Sequence, residues 1–342
     1  MIERDLIKHI AAKAHRSHPN LLKGIGDDCA VFSQEADREW HISTDMLVQG
    51  VHFDTSWHQP YLLGRKSLAV NISDIAAMGA KPQFALLSVG LPGDLDSNWI
   101  ESYVDGVLAI LDEYQCVLVG GDTVSAKQLT ISVTVLGTAP RGCSIPRDGA
   151  ASGDSVYVSG NLGSSAAGLY LCQMRKASDP GLQELAWQQL VMAHLDPKPR
   201  VALAEILLQS GMVTSMQDIS DGIATDLSHL CTASKVSAII EEKSLPAHAE
   251  LIEMCGQLNV SQQDFQLKGG EDYELVFTVR SGAEEMFENY CREQRRKAAE
   301  KGQPDIPVVT RIGVIQPGDG VCMRTHSGEL IDIAYQGYEH SS

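Results

Sequence analysis

The sequence predicts a mixed α/β (α+β) protein of two domains, and three observations carry that expectation. Its 342 residues suit two cores at ~100–200 residues per domain. Apolar, strand-like runs alternate with helix-period segments along the whole chain. The segment RGCSIPRDGAASGD, 141–154, is rich in Gly, Ser and Pro and separates two such stretches. The boundary is therefore expected at 148/149, giving domains 1–148 and 149–342.

The elements follow in order. MIERDLIKHIAAKAHR sets charges around Ile2, Leu6, Ile7 and Ile10, the pattern of an amphipathic helix and not of a signal peptide, so a cytoplasmic protein is expected. WHISTD, FALLSVGL, VLVGGDT, LTISVTVLGTA, SVYVSG and YELVFTV read as strands bounded by Gly, Pro and Asp. Helices are expected at 61–79, closed by Gly79 and Pro82, and at 97–113, 163–175, 199–210 and 222–234. The basic run REQRRKAAEK, 292–301, is interleaved with Glu and belongs on a solvated helix. SGNLGSSAAG, 159–168, opens a helix without a full dinucleotide fingerprint and reads first as close strand–helix packing.

Composition excludes several classes. Hydrophobic content of 44% and charged content of 21% are ordinary for a soluble protein. No apolar run approaches the ~20 residues that span a bilayer. A net charge of −17 opposes binding to nucleic acid, which needs a basic surface. The eight cysteines form no CxxC pair or zinc spacing and are expected as reduced, mostly buried thiols.

The acidic residues are less ordinary. In GIGDDCAV, Asp27 and Asp28 stand side by side, where like charges repel unless a turn, solvent or a cation offsets them. ISTD places Ser43, Thr44 and Asp45 at the end of one strand, and VLVGGDT places Gly120, Gly121 and Asp122 at the end of another. Asp74 shares a helix face with Asn71 among Ala, Ile and Leu, and a carboxylate in that company needs a partner. Asp218 and Asp221 flank Ser220 before a helix. Asp221 suits an N-cap, but one cap does not explain two acids.

Together Asp28, Asp45, Asp74, Asp122, Asp218 and Asp221, with the hydroxyls of Ser43 and Thr44, form an all-oxygen ligand set. That chemistry selects Mg²⁺ joined to substrate phosphates. Gly120 and Gly121 would let backbone N–H groups approach an anion. There is no GxxxxGK[ST] loop and no HRD or DFG set, so a nucleotide must be held another way.

GIGDDCAV, ISTDMLVQGVHF, AVNISDIAAMGAKP, VGGDT, DISDGIATDL and GGEDYELVFTV occur in the order seen in thiamine-monophosphate kinases, and the chain resembles that family over nearly its whole length. The resemblance implies a homodimer whose N-terminal sheets pair into a barrel, with ATP and several Mg²⁺ ions in the cleft between domains. By motif position, Asp28, Ser43, Thr44, Asp45, Asp74, Asp122, Asp218 and Asp221 resemble the metal ligands, with Asp45, Asp122 and Asp218 central to catalysis. Asp28 is preferred over Asp27. Gly121, Asp122, Arg147 and Ser220 resemble nucleotide contacts, and His52, Glu271 and Tyr338 resemble contacts to thiamine phosphate.

Two departures stand out: a longer tract at 285–304, and IPRDGA where relatives often carry LKRxGA. The implied reaction is transfer of the ATP γ-phosphoryl group to thiamine phosphate, giving thiamine diphosphate. The alternatives are a ring-closing or amide-activating synthetase of the same superfamily, which GGEDYEL opposes, and a catalytically silent metal–nucleotide sensor.

Overall fold

The computed structural model describes residues 21–23, 30–33, 37–93, 95–177, 187–302 and 306–338. The N-terminal amphipathic segment, Asp27 and Asp28 lie outside them. Among the described residues no helix is long and apolar enough to cross a membrane. All seven described cysteines are free, and five are buried.

The N-terminal half builds a six-stranded open sheet from β1 (Leu21–Lys23), β2 (Ala30–Ser33), β3 (Arg38–Val48), β4 (Lys81–Leu91), β5 (Val117–Ser125) and β6 (Thr130–Pro140), in the order β1-β2-β3-β6-β4-β5. Only β4 and β5 run parallel, joined by a helical crossover as parallel neighbours require. Alternation sends Ala85, Ile131, Val133, Val135 and Leu47 to one face, where helices α1 (Pro60–Ala77) and α2 (Ser97–Glu113) cover them.

Helix α1 is buried nearly all round, because it is packed between this sheet and the second half of the chain. Its crossing with α2 is close. A Cβ on Gly106 would stand 1.9 Å from Tyr61 O, and one on Gly64 would stand 2.1 Å from Tyr103 O. Gly106→Ala is therefore expected to lower stability by about 3 kcal/mol, the upper range for overpacking, as read from a shifted denaturation midpoint. A wild-type midpoint would contradict the tight crossing.

Two strands outrun their expected ends. β3 pairs with β6 without a break from Arg38↔Pro140 to Val48↔Thr130, and β5 stays paired with β4 through Leu91↔Ser125. Asp45 and Asp122 are therefore mid-strand and not at strand termini: cross-strand hydrogen bonding carries the backbone past the acids, and the register sends their side chains to opposite faces of the sheet.

The second half forms a seven-stranded sheet, β13-β12-β9-β11-β7-β10-β8. Its strands are β7 (Ser155–Ser159), β8 (Val213–Ile219), β9 (Ser237–Glu241), β10 (Glu274–Val279), β11 (Val309–Gln316), β12 (Val321–Arg324) and β13 (Leu330–Asp332). Around it pack α3 (Ser164–Ala177), α4 (Gln188–Leu195), α5 (Val201–Ser210), α6 (Ile223–Ser234), α7 (Ala249–Leu258), α8 (Gln262–Lys268) and α9 (Glu284–Glu300).

The long tract at 285–304 is largely α9. It buries Phe287, Cys291 and Ala298 against the domain core and carries Glu293–Lys297 and Arg296–Glu300 pairs on its wet side. Ala76 and Ala77 of α1 join that same core with Leu203, Met216 and Phe277, so α1 belongs to both halves.

Candidate active site in the interdomain cleft

Helix α1 lines a cavity of about 550 Å³ between the two sheets through Val70 and Asp74. At i, i+4 and i+7, Lys66, Val70 and Ser73 turn toward the second half. Lys66 Nζ bonds Glu271 Oε2 at 3.0 Å, and Ser73 Oγ donates to Asp218 Oδ2 at 2.7 Å. Asp74, one position on, accepts from Ser43 Oγ of β3. Asp45 shares the Ser43 face of β3, so the cleft gathers Asp45, Asp74 and Asp221 with His52, Ser220, Glu271 and Tyr338.

The structure divides the oxygen set the motifs suggest. Thr44 points to the opposite face of β3, where it donates to Val133 O at 2.9 Å. Asp122 pairs with Ser88 and shares that outer face, its Oδ1 accepting from Thr123 N at 2.8 Å. Gly121 is level with Asp45 through Leu87 and Val133, so three strand spacings, about 14 Å, separate them. A Cβ on Gly121 would stand 1.7 Å from Leu87 O, which gives the glycine a packing reason of its own.

Carboxylates crowd the cleft. The Tyr273 phenol is pushed well above its ordinary pKa by burial first, and then by the charges of Glu271, Asp45, Asp218 and Asp74. Asp226, in the first turn of α6, is likewise raised by burial and by Asp221 and Asp218, with Arg147 opposing. Asp221 is not the cap of that helix. Gly222 occupies the N-cap, and Asp226 reaches back to accept from Asp221 N at 3.0 Å and from Gln217 Nε2 at 2.8 Å.

Beside Asp74 on α1, Asn71 is fully buried with neither amide atom hydrogen-bonded. Clustered acids with an orphaned amide fit a hydrated divalent cation. Among the described residues no three acidic, His or Cys groups already converge on one point, so such an ion would need water and substrate oxygens to complete its shell.

GGEDYEL divides its side chains between the cleft, which Glu271 and Tyr273 line, and the fold, which Asp272 and Glu274 hold. Glu271 and Tyr273 adopt φ of 64° and 49° and are pinned by Glu271 N to Ser220 O and Tyr273 N to Ile219 O. Glu271 faces the cleft: burial alone would raise its pKa, but Lys66 and the His194 N–H hold it well below the usual carboxylate range. Glu274 is paired with Arg200 and Ser159.

Asp272 accepts from Gly163 N and Ser165 N at the start of α3, and burial pushes its pKa up to about 7. The glycine-rich turn at 159–168 thus already holds a carboxyl group from its own chain. Asp272→Ala is expected to remove that cap and lower stability by about 1–2 kcal/mol, read by chemical denaturation. No change would mean that α3 starts without it.

His52 accepts from Val48 N at 3.0 Å through Nδ1, which leaves its proton on Nε2. Tyr338 is fixed by its own N–H to Asp221 O, 2.9 Å. Arg147 sits in a short turn, Arg147–Gly149, tied by Ser234 Oγ to its carbonyl. The motifs did not single out Lys66, Ser73, His194, Asp226 and Asp272. Lys66 had a signal, a lysine on the same helical face as Val70, Ser73 and Ala77.

Comparison with known proteins agrees with this architecture. Residues 26–139 match the AIR synthase related protein N-terminal domain, and 151–303 match its C-terminal domain. The thiamine-monophosphate kinase of Bacillus subtilis is 33% identical, covering 99% of both chains, and that of Escherichia coli K12 is 35% identical over 99% of this chain and 98% of its own.

A solved structure of AaThiL complexed with AMPPCP and TMP is 32% identical with a TM-score of 0.82, covering 99% of this chain and 97% of that one. Hydrogenase maturation protein HypE in complex with ATP, 18% identical at a TM-score of 0.67 over 96% of this chain and 93% of its own, shares the fold. With a third of its residues identical along its full length and the same two-domain α/β architecture, this chain belongs to the thiamine-monophosphate kinase family.

Proposed function

We propose that the chain transfers the γ-phosphoryl group of ATP to thiamine phosphate, forming thiamine diphosphate and ADP in the interdomain cleft. The observation that carries this is the joining, in one cavity, of the acids Asp45, Asp74 and Asp221 with the Lys66-anchored Glu271. One end suits cation-bridged phosphates and the other an organic group.

ATP and a phosphomonoester bring roughly six negative charges, and two like charges at ~4 Å oppose each other by ~4 kcal/mol at an effective dielectric of 20. Several Mg²⁺ ions held by Asp45, Asp74, Asp218, Asp221, Ser43 and, from outside the described residues, Asp28 would neutralise that charge. His52 Nε2–H donates toward the substrate, and Glu271 and Tyr338 hold the thiamine part. Ser220 and Arg147 serve the nucleotide.

Asp122 and Thr44 act from the face that a second copy covers, and Gly121 acts through its backbone beside Asp122 on β5. On that face Phe84 and Leu86 are exposed, and the edge strand β5 leaves Val117, Val119 and Val124 more than half exposed. Long exposed apolar edges are paired or covered in stable proteins, which supports a homodimer built through this sheet, closing it into a barrel. The division at 148/149 accords with the two sheets and with the linker clamp of Gly142 N and Ser144 Oγ on Glu39. The chain is read as cytoplasmic.

Transfer is direct and in line. The acceptor is a phosphate oxygen, already anionic at neutral pH because the second phosphate pKa is ≈ 6, so no general base is required. Positioning and charge neutralisation carry the catalysis. Steady-state kinetics with both substrates varied should give intersecting reciprocal plots, and γ-labelled ATP alone should leave the protein unlabelled. Parallel plots with label retained on the protein would refute direct transfer.

A further inference from the structure

The wall around Glu271 contains more than a carboxylate. Lys66 Nζ at 3.0 Å and His194 Nδ1 at 3.2 Å both meet the same oxygen, Oε2. Oε1 accepts no hydrogen bond from any described residue, and Glu271 is a quarter exposed at the cleft. Lys66 is fully buried and His194 is 2% exposed, so the anchor is rigid while the free oxygen is not enclosed.

A carboxylate only accepts, so His194 donates through Nδ1, with Ser165 Oγ also 3.3 Å from that atom. Burial and the neighbouring Lys66 charge hold His194 below its ordinary pKa, and the tautomer leaves Nε2 as an acceptor. That nitrogen is buried without a hydrogen-bond partner, and His194 lines the cavity. His58, behind it at 6.4 Å between ring centroids, is lowered to about 3 by burial, Lys66 and His194, and adds no charge.

The cluster therefore sums to zero: one ammonium, one carboxylate and neutral imidazoles. It offers acceptors to the cleft and no net charge. Phe53, Trp57, Val70 and Leu169 supply apolar and aromatic surface in the same cavity, suited to a flat ring.

Building on the reading of this cleft as the thiamine phosphate site, we infer that Lys66 and His194 are positioning residues that fix Glu271 to read the ring amine of the substrate's aminopyrimidine. The free acceptor selects an N–H donor; the neutral sum does not select the cationic ring. Recognition of a hydrogen-bonding group by a buried partner discriminates strongly against an analogue lacking it, because the site's own polar atom is then left unpaired.

The test compares thiamine phosphate with the analogue in which a carbonyl replaces the ring amine, using the full-length protein with ATP and Mg²⁺. Wild type is expected to favour the amine by at least about 10²-fold in kcat/KM. Lys66→Met should raise KM for thiamine phosphate at least tenfold, reduce the discrimination to less than about fivefold, and leave KM for ATP within twofold. Lys66→Arg should recover discrimination.

Should Lys66→Met fail to fold, Lys66→Met/Glu271→Gln removes both buried charges together and is expected to show the same collapse. Wild-type turnover without discrimination, or discrimination that survives in these variants, would overturn the inference alone. Absence of any turnover of thiamine phosphate by the wild type would instead overturn the functional reading beneath it.

Discussion

Asp45→Asn is expected to lower kcat by about 10²–10³-fold, the loss seen when one preorganised charge-stabilising group is removed, while the protein stays folded. Asp45 is exposed on β3 and lines the cleft, and its charge is one of four that raise the Tyr273 pKa. The substitution keeps shape and removes a charge from a crowded acidic wall. Stability should therefore hold or rise slightly, since like-charge repulsion is relieved. Activity should fall because the wall would hold less firmly the cations that neutralise the phosphates. Near-wild-type turnover at saturating Mg²⁺, in a variant with a normal denaturation midpoint, would remove Asp45 from the site.

Glu271→Ala is expected to have the larger effect on stability, about 3–5 kcal/mol, the magnitude for leaving a buried charge without its partner. Lys66 is fully buried and pairs with Glu271 alone among the described residues. Adding Lys66→Met to Glu271→Ala should recover most of that loss, which a denaturation midpoint reads directly. A double variant as unstable as the single one would show that the ammonium is not the cause.

The pair also sets an acid limb. The folded pKa of Glu271 lies below its ordinary 4.5, so its contribution is fully present above pH 4.5 and is lost as pH falls through the depressed folded value. Glu271→Ala should flatten that limb of the stability profile.

The long, periodic elements were legible in the sequence. Helix α2 spans the expected 97–113, and α1, α3, α5 and α6 begin or end within two residues of their expected bounds. Strand β8 was not recognised, because Val213–Ile219 reads VTSMQDI and looks polar. It is nevertheless buried, since Ser215 bonds Thr278, Gln217 bonds Asp226 and Asp218 bonds Ser73. Polar residues satisfied by tertiary partners carry no local hydrophobic signature. Helices α4, α7 and α8, of 7 to 10 residues, were likewise too short to show a period, and α7 contains Gly256.

The site was legible as a list of acids but not as a geometry. Ser43 and Thr44 are adjacent in the chain and leave opposite faces of β3, so sequence proximity counted as one set what the pleat divides. GGEDYEL was recognised as a motif, yet its Asp272 and Glu274 serve the fold: one caps α3 and the other anchors Arg200. Lys66 and His194 come from segments 128 residues apart and meet only at Glu271, a convergence that no local spacing displays.

The most direct measurement is product analysis of the purified chain with ATP and Mg²⁺, with and without thiamine phosphate. The account predicts thiamine diphosphate and ADP in equal amounts, with ADP release dependent on thiamine phosphate and abolished by a chelator. ADP released at the same rate without thiamine phosphate, or inorganic phosphate in place of thiamine diphosphate, would contradict it.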